Sequence, residues 1–182
     1  MRRAAKILVF SALLIGGVIA YTKISARLPA STPPEMASIE QQADFILVEK
    51  SARKLTLMRE GEAIGHFNIS LGADGDGGHK LFEGDERTPE GLYTIDWRNP
   101  KSIAHLSLHI SYPNAADVAQ AQNLGKSAGG NIMIHGLPNG WGLIGKLHLA
   151  FDWTNGCIAI TNAEMQDVWS RVPNGTKIEI RA

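Results

Sequence analysis

A single cysteine, Cys157, stands in 182 residues, so no disulfide can close within the chain. In an oxidising compartment a lone thiol is a buried small hydrophobe, half of an intermolecular bridge, or a reactive group. Charge of one sign is missing too, since 18 Lys and Arg face 18 Asp and Glu. A balanced chain carries no global electrostatic bias toward nucleic acid or another polyanion. No internal repeat and no heptad is found, which excludes solenoids and coiled coils. The length leaves room for one domain with a sizeable core.

What charge asymmetry there is lies at the front. Arg2, Arg3 and Lys6 precede an almost uncharged apolar run from Ile7 to Tyr21, the layout of a secretory signal or a short membrane anchor rather than of a buried core helix. The run is long for a signal core and short of the ~20 residues of a spanning helix. A small-x-small cleavage pattern is weak around Ile24, Ser25 and Ala26, and no nearby cysteine can take a lipid. Residues 1–27 are read as a signal peptide or membrane anchor, with the balance toward an uncleaved anchor. The rest is expected in the periplasm or cell envelope, held in the inner membrane by residues 7–21 or secreted after cleavage. Residues 28–40, with Pro29, Pro33 and Pro34, resist helix and sheet and read as a linker to a domain at 41–182.

Beyond Asp44 the pattern changes to short apolar alternations bounded by Gly, Ser or charged clusters. These predict strands at Phe45 to Glu49, Leu55 to Met58, Ile64 to Leu71, Leu92 to Asp96, Leu106 to Ile110, Ile132 to His135 and Ile178 to Ile180. Helix signals are few. Thr161 to Glu164 is a capping-box pattern opening a segment that runs to about Val172, where Pro173 and Gly175 stop it. Ala115 to Asn123 is a second, shorter candidate. The domain is therefore expected to be mainly β, with one or two flanking helices.

Chemistry gathers around the lone thiol in Asp152-Trp153-Thr154-Asn155-Gly156-Cys157. The preceding glycine lets backbone approach a substrate carbonyl. A free thiol with a pKa near 8.5 is only a few per cent ionised at neutral pH, so a catalytic cysteine needs a partner. Among six histidines, His135 ends the apolar strand Ile132-Met133-Ile134 and is followed by Gly136, placing its ring at a strand end beside a loop. The 21 residues between them are enough to bring imidazole and thiol together. The spacing permits a dyad; an inert buried thiol fits the spacing as well.

Four stretches then resemble the L,D-transpeptidase catalytic domain family, the YkuD-type fold, in that family's order. They are Gly84-Asp85-Glu86-Arg87-Thr88-Pro89-Glu90-Gly91-Leu92-Tyr93, Ser111-Tyr112-Pro113-Asn114, Ile134-His135-Gly136 and Thr154-Asn155-Gly156-Cys157. The resemblance spans nearly all of Asp44 to Arg181. It implies an L,D-transpeptidase-like β-sandwich or barrel with one or two flanking helices, preceded by the N-terminal apolar segment. It makes Cys157 the nucleophile, His135 its activating base, the Gly136 carbonyl the anchor of the imidazole's second nitrogen, and the amides of Gly156 and Cys157 an oxyanion hole. The implied substrate is a peptidoglycan stem peptide. The thiolate attacks the L-centre carbonyl of a diamino acid, releases the amine beyond it, and leaves a thioester for a second amine or for water.

Two positions depart from the family's usual signature of Ser or Thr, His, Gly, Cys, a hydrophobe, then Arg or Asn. Asn155 stands where the second histidine belongs and Ala159 at the last position. Asn155 keeps hydrogen bonding but cannot be charged, and Ala159 removes a guanidinium. The Thr-Asn-Gly-Cys signature resembles a divergent branch, which includes members similar to amidases that detach a lipoprotein from peptidoglycan. Transpeptidation is preferred over hydrolysis by an L,D-carboxypeptidase or such an amidase, for which an envelope lipoprotein is a further partner. A peptidoglycan-binding module without turnover is the reading from a different class.

Other residues carry two readings each. Arg87 is a candidate substrate-carboxylate clamp, although Pro89 and Gly91 already explain its segment as a turn entering a strand. Thr154, Trp141 and Trp153 are candidate substrate contacts, and core packing accounts for the two indoles equally well. His105 and His109 share a strand face but sit about 13 Å apart, too far for one metal ion. Asp74-Gly75-Asp76-Gly77-Gly78 lacks the bidentate Glu of a calcium loop. No metal and no cofactor is expected.

Overall fold

Ile46 and Val48 alternate with Phe45, Leu47 and Glu49, and in the computed structural model this stretch is a strand, β1 (Phe45–Glu49), whose two even positions are fully buried. The structure describes residues 2–27, 32–75 and 77–182; Leu28 to Ser31 of the expected linker and Asp76 of the acidic loop lie outside the described residues. β2 (Lys54–Arg59) runs antiparallel between β1 and β3 (Glu62–Asn68), setting Leu57 opposite Ile46 and Leu55 opposite Val48. β8 (Lys177–Arg181), last in the chain, lies parallel to β1 and brings Ile178 and Ile180 beside the same two residues. These rows fix register, because a one-residue slip would turn every one of them to solvent. Each such side chain contributes about 1.5–3 kcal/mol on burial.

β4 (Gly91–Asn99) extends the sheet from β8, and β5 (Ser107–Ile110), β6 (Met133–His135) and β7 (Ile158–Ala159) follow, giving the order β3-β2-β1-β8-β4-β5-β6-β7. Single bridges from Ser70 to Ala159 and from Gly72 to Thr154 tie the chain beyond β3 to the far end of the sheet. The sheet therefore curls until its first and last strands meet, which protects edges that would otherwise be open.

Two helices flank it, as expected. α2 (Ala115–Asn123) starts at Asn114, whose side-chain oxygen accepts from the Ala116 and Asp117 amides. α3 (Asn162–Arg171) starts at Thr161 with the capping box complete, and buries Met165, Val168 and Trp169. Arg98 of β4 stacks on the Trp169 ring at 4.1 Å, so α3 covers one face of the β4–β7 end and leaves the other to the site.

The elements differ from expectation in several places, and β4 runs on to Asn99 rather than ending at Asp96. β3 ends at Asn68 rather than Leu71, because the chain leaves β2 there and makes its bridges to the β7 region instead. β7 is two residues long, too short for any alternation to announce it. Gly142–Ala150, read as loop, is wound into 3₁₀ turns broken at Gly145, where φ is +49°.

The N-terminal run forms α1 (Arg2–Ser25), with Ile7, Phe10, Leu13, Leu14 and Ile15 exposed. Among the described residues no helix is long and apolar enough to cross a membrane. The end of α1 docks on the domain. Tyr21 Oη donates to the Gly140 carbonyl at 2.8 Å, its ring meets Trp141 edge-on at 5.6 Å, and Trp141 Nε1 donates to Thr22 Oγ1 at 3.2 Å.

Candidate active site

β6 carries the candidate base, His135. Ile134 points into the core, fully buried, so period-two alternation turns its neighbours Met133 and His135 to the opposite face. His135 Nδ1 lies 2.6 Å from the Gly136 carbonyl. A carbonyl only accepts, so Nδ1 carries the proton and Nε2 is left with its lone pair, the tautomer a general base requires. Burial holds the imidazole below its ordinary pKa; the Gly136 carbonyl works against that, and His148 adds to it. Gly136 itself has no room for a side chain, since a Cβ would come 2.7 Å from Asn162 Oδ1 and 2.8 Å from His105 Cβ.

The candidate nucleophile, Cys157, sits in a clamped loop. Thr154 Oγ1 donates to the Cys157 carbonyl at 2.7 Å and accepts from the Gly156 amide at 3.2 Å. Gly156 has a φ of +116°, and a Cβ there would stand 2.5 Å from the Arg87 carbonyl. Only glycine meets both conditions. The Cys157 thiol donates to the Asn131 carbonyl at 3.6 Å, and among the described residues no hydrogen bond joins it to His135. Burial pushes the thiol up, against a smaller pull downward from the Met133 backbone and Lys80. Both shifts favour the uncharged forms, a neutral pair, over a thiolate–imidazolium.

Cys157, His135, Thr154, Asn155 and Trp153 line one cleft of about 540 Å³, which Thr22 of α1 and Ala26, just beyond its end, also border. Trp153 meets His135 edge-on at 5.8 Å. Trp141 lies away from this cleft, in a neighbouring cavity of about 280 Å³. Arg87 does not line the cleft either: its Nε donates to Asp74 at 2.8 Å, while its carbonyl buttresses Gly156. His105 has a φ of +64°, and its Nε2 lies 3.0 Å from Gln166 Nε2. Among the described residues no three His, Cys, Asp or Glu side chains come close enough to hold a metal ion.

Lys80 and His148 have no sequence signal, and Asp85 has only its place in the family-like stretch from Gly84. Lys80 and Asp85 form a buried ion pair at 2.7 Å. Burial disfavours the Asp85 charge, but Lys80 and the Leu81, Arg87 and Phe82 amides outweigh it and hold the carboxyl below its usual range. The pair ties down the run from Lys80 to Arg87, whose backbone supports Gly156. His148 is buried with Nδ1 3.1 Å from Ser70 Oγ and its ring edge-on to Trp153. Nothing around it in the sequence separates it from the apolar residues of its segment.

Residues 43–180 match the family pattern described as the L,D-transpeptidase catalytic domain, YkuD. No curated protein matches this chain. Among solved structures the chain is similar to the helical cell shape determining protein Pgp2 from Campylobacter jejuni, with 24% identity, 76% of this chain and 48% of that chain covered, and a TM-score of 0.57. It is also similar to Bd1075 from Bdellovibrio bacteriovorus, with 25% identity, coverage of 84% and 52%, and a TM-score of 0.51. For an L,D-transpeptidase from Mycobacterium tuberculosis H37Rv the values are 14%, 76% and 57%, with a TM-score of 0.50. This chain spans about half the length of the first two neighbours, at 48% and 52%.

Proposed function

The chain belongs to the L,D-transpeptidase catalytic domain family, and on that premise we propose that it is a cysteine acyltransferase of the cell envelope acting on peptidoglycan stem peptides. The family acts on such peptides at the cell wall. The observation that carries the reading is one of geometry: the Cys157 thiol and the His135 imidazole line one cleft, and His135 Nδ1 is engaged by the Gly136 carbonyl.

In this reading the substrate's arrival aligns the two groups, as apo hydrogen bonds in active sites often tighten only on binding. His135 Nε2 takes the thiol proton while Sγ attacks the L-centre carbonyl of a diamino acid. The carbonyl oxygen, now an anion, is held by backbone amides of the nucleophile loop, with the Cys157 amide the main donor because that of Gly156 already serves Thr154. The imidazolium returns its proton to the departing amine as the C–N bond breaks, leaving a thioester on Cys157. An acceptor amine then attacks, His135 removes its proton, and the thiol leaves as it is reprotonated. Gly136 and Thr154 hold the two groups, and Asn155 and Trp153 face the substrate. A carboxylate-binding role for Arg87 requires release of Asp74. Anchoring through residues 7–21 belongs to the same proposal, supported by the apolar side chains that α1 exposes.

Hydrolysis of the same thioester is the second reading. One observation favours it: Thr22 and Ala26 border the cleft, narrowing the space open to a second stem while leaving it open to water. The full chain, incubated with diaminopimelate-containing fragments with and without a lipoprotein-derived peptide, separates the two by mass spectrometry of products. Cross-linked or amine-exchanged stems establish transfer. Release without a new bond establishes hydrolysis. Absence of any Cys157 adduct contradicts both.

A further inference from the structure

The catalytic face of the sheet continues well past the catalytic pair. Trp97 of β4 pairs with His109 of β5, and His109 with Met133 of β6. The parallel register of β6 and β7, His135 with Ala159, brings Cys157 level with Met133 two residues earlier. A straight row therefore crosses the strands from Cys157 over Met133 and His109 to Trp97. The neighbouring row, Ala159, His135, Ser107 and Asn99, borders it, and Met133, Ser107 and Asn99 line the cleft as far as β4.

Local structure at the far end holds one indole in place. A bulge interrupts the β4–β5 ladder between Ile95 and Trp97, and a bulge re-aims the side chains beside it. Asp96 Oδ1 reaches His109 Nδ1 at 2.5 Å, and the His109 ring stacks on Trp97 with centroids 4.9 Å apart and planes 20° from parallel. The imidazole beneath is largely covered, 12% exposed, while Trp97 remains 40% exposed. One face of the indole is thus backed by the imidazole, and the rest is open.

Three strand spacings of about 4.8 Å place Trp97 some ~14 Å from Cys157. An extended peptide covers about 3.4 Å per residue, so three residues span about 10 Å. A stem that offers its third residue, the diamino acid, to Cys157 and runs along the row ends about 4 Å short of Trp97, so the linkage beyond its first residue brings the sugar to the indole. We infer that Trp97, backed by His109 and Asp96, is a stacking platform for the saccharide end of the peptidoglycan substrate. The negative face of an indole attracts the positively polarised C–H groups of a sugar ring, and a rigid platform gives that contact at little ordering cost. The inference rests on the stem-peptide reading above.

The test compares the full chain on a diaminopimelate-containing tetrapeptide stem with and without its disaccharide. The wild type is expected to favour the sugar-linked stem by about five- to tenfold in kcat/KM, mostly through KM, as one aromatic contact allows. Trp97→Ala brings the ratio to about one, and Trp97→Phe keeps most of it. A ratio unchanged by Trp97→Ala overturns the inference, as does a wild type indifferent to the sugar. Titrating the full chain with the disaccharide alone reads the platform apart from turnover: a change in indole fluorescence that Trp97→Phe abolishes supports it, and no change overturns it. Disaccharide binding without turnover of either stem contradicts only the acyl-transfer reading.

Discussion

The two ends of the curled sheet are built on different principles. At the β3-β2-β1-β8 end, strands of five to seven residues carry rows of aliphatic side chains, with Ile46, Val48, Leu55, Leu57 and Ile178 fully buried. At the β5-β6-β7 end, strands shrink to four, three and two residues, and Ser107, His135 and Thr154 are buried among the apolar ones. Both ends bury aliphatic side chains, Leu108, Ile134 and Ile158 among them at the second. The second places polar groups that a stability-driven core would leave out, and relies on the first, together with clamps such as Thr154 and the Lys80–Asp85 pair, to keep them in position.

The largest expected effect belongs to the functional end. Cys157→Ala is predicted to lower turnover by roughly 10⁴-fold or more, with His135→Ala comparable because the two act as a unit. Urea unfolding of Cys157→Ala should stay close to wild type. Turnover that survives in Cys157→Ala contradicts the mechanism.

The converse substitution is Leu57→Ala, at a fully buried position. It should cost about 2–5 kcal/mol of stability through transfer and cavity terms. The folded fraction, counted by alkylation of Cys157 in the unfolded state, should retain wild-type kcat. A kcat lost in proportion to stability would mean that the two ends are not separable.

Asp85→Asn crosses the comparison, because it leaves Lys80 buried at 4% exposure without its partner. A loss of about 3 kcal/mol is expected, along with a slower enzyme, since this run supports Gly156 through the Arg87 carbonyl. The Asp85 carboxyl is held below its ordinary pKa. Its contribution is therefore complete above the unfolded value near 3.9 and is lost as pH falls through the lower folded one. Denaturation midpoints between pH 2 and pH 5, compared for wild type and Asp85→Asn, should converge at the acid end; parallel curves would contradict the assignment.

Protonation of the Cys157–His135 pair should be visible next. Burial holds His135 neutral, so the acid limb of kcat/KM should lie below pH 6.5, the ordinary value for imidazole. The raised thiol predicts that iodoacetamide modifies Cys157 more slowly than free cysteine at neutral pH, with the rate climbing only beyond pH 9. Fast alkylation at neutral pH would indicate a resting thiolate and remove the neutral pair from the account. The smallest effect is expected from Asn155→His. Asn155 is exposed at the cleft, and restoring the family's histidine should leave turnover unchanged or raise it.

The same contrast decides what a sequence reader can see. Phe45–Glu49 and Lys54–Arg59 announce themselves because alternation over five or six residues maps directly onto one buried face. The capping box at Thr161 is equally legible, its chemistry lying within four residues. β7 is not, since two residues have no period, and its pairing with β6 depends on the curl. His135 and Cys157 could be nominated from their loops and from the family resemblance. Lys80 and His148 reach the site only through tertiary contacts, Asp85 shows its ion pair only there although it lies in a family-like stretch, and the Trp97 row emerges only through strand register.

Mass spectrometry of the full chain after brief exposure to a diaminopimelate-containing tetrapeptide stem tests the central claim most directly. The account predicts an acyl adduct on Cys157 equal in mass to the stem less its released terminal residue, absent in Cys157→Ala and scarcely formed in His135→Ala. An intact, unmodified Cys157 beside converted substrate, or the same adduct formed as quickly without His135, would contradict it.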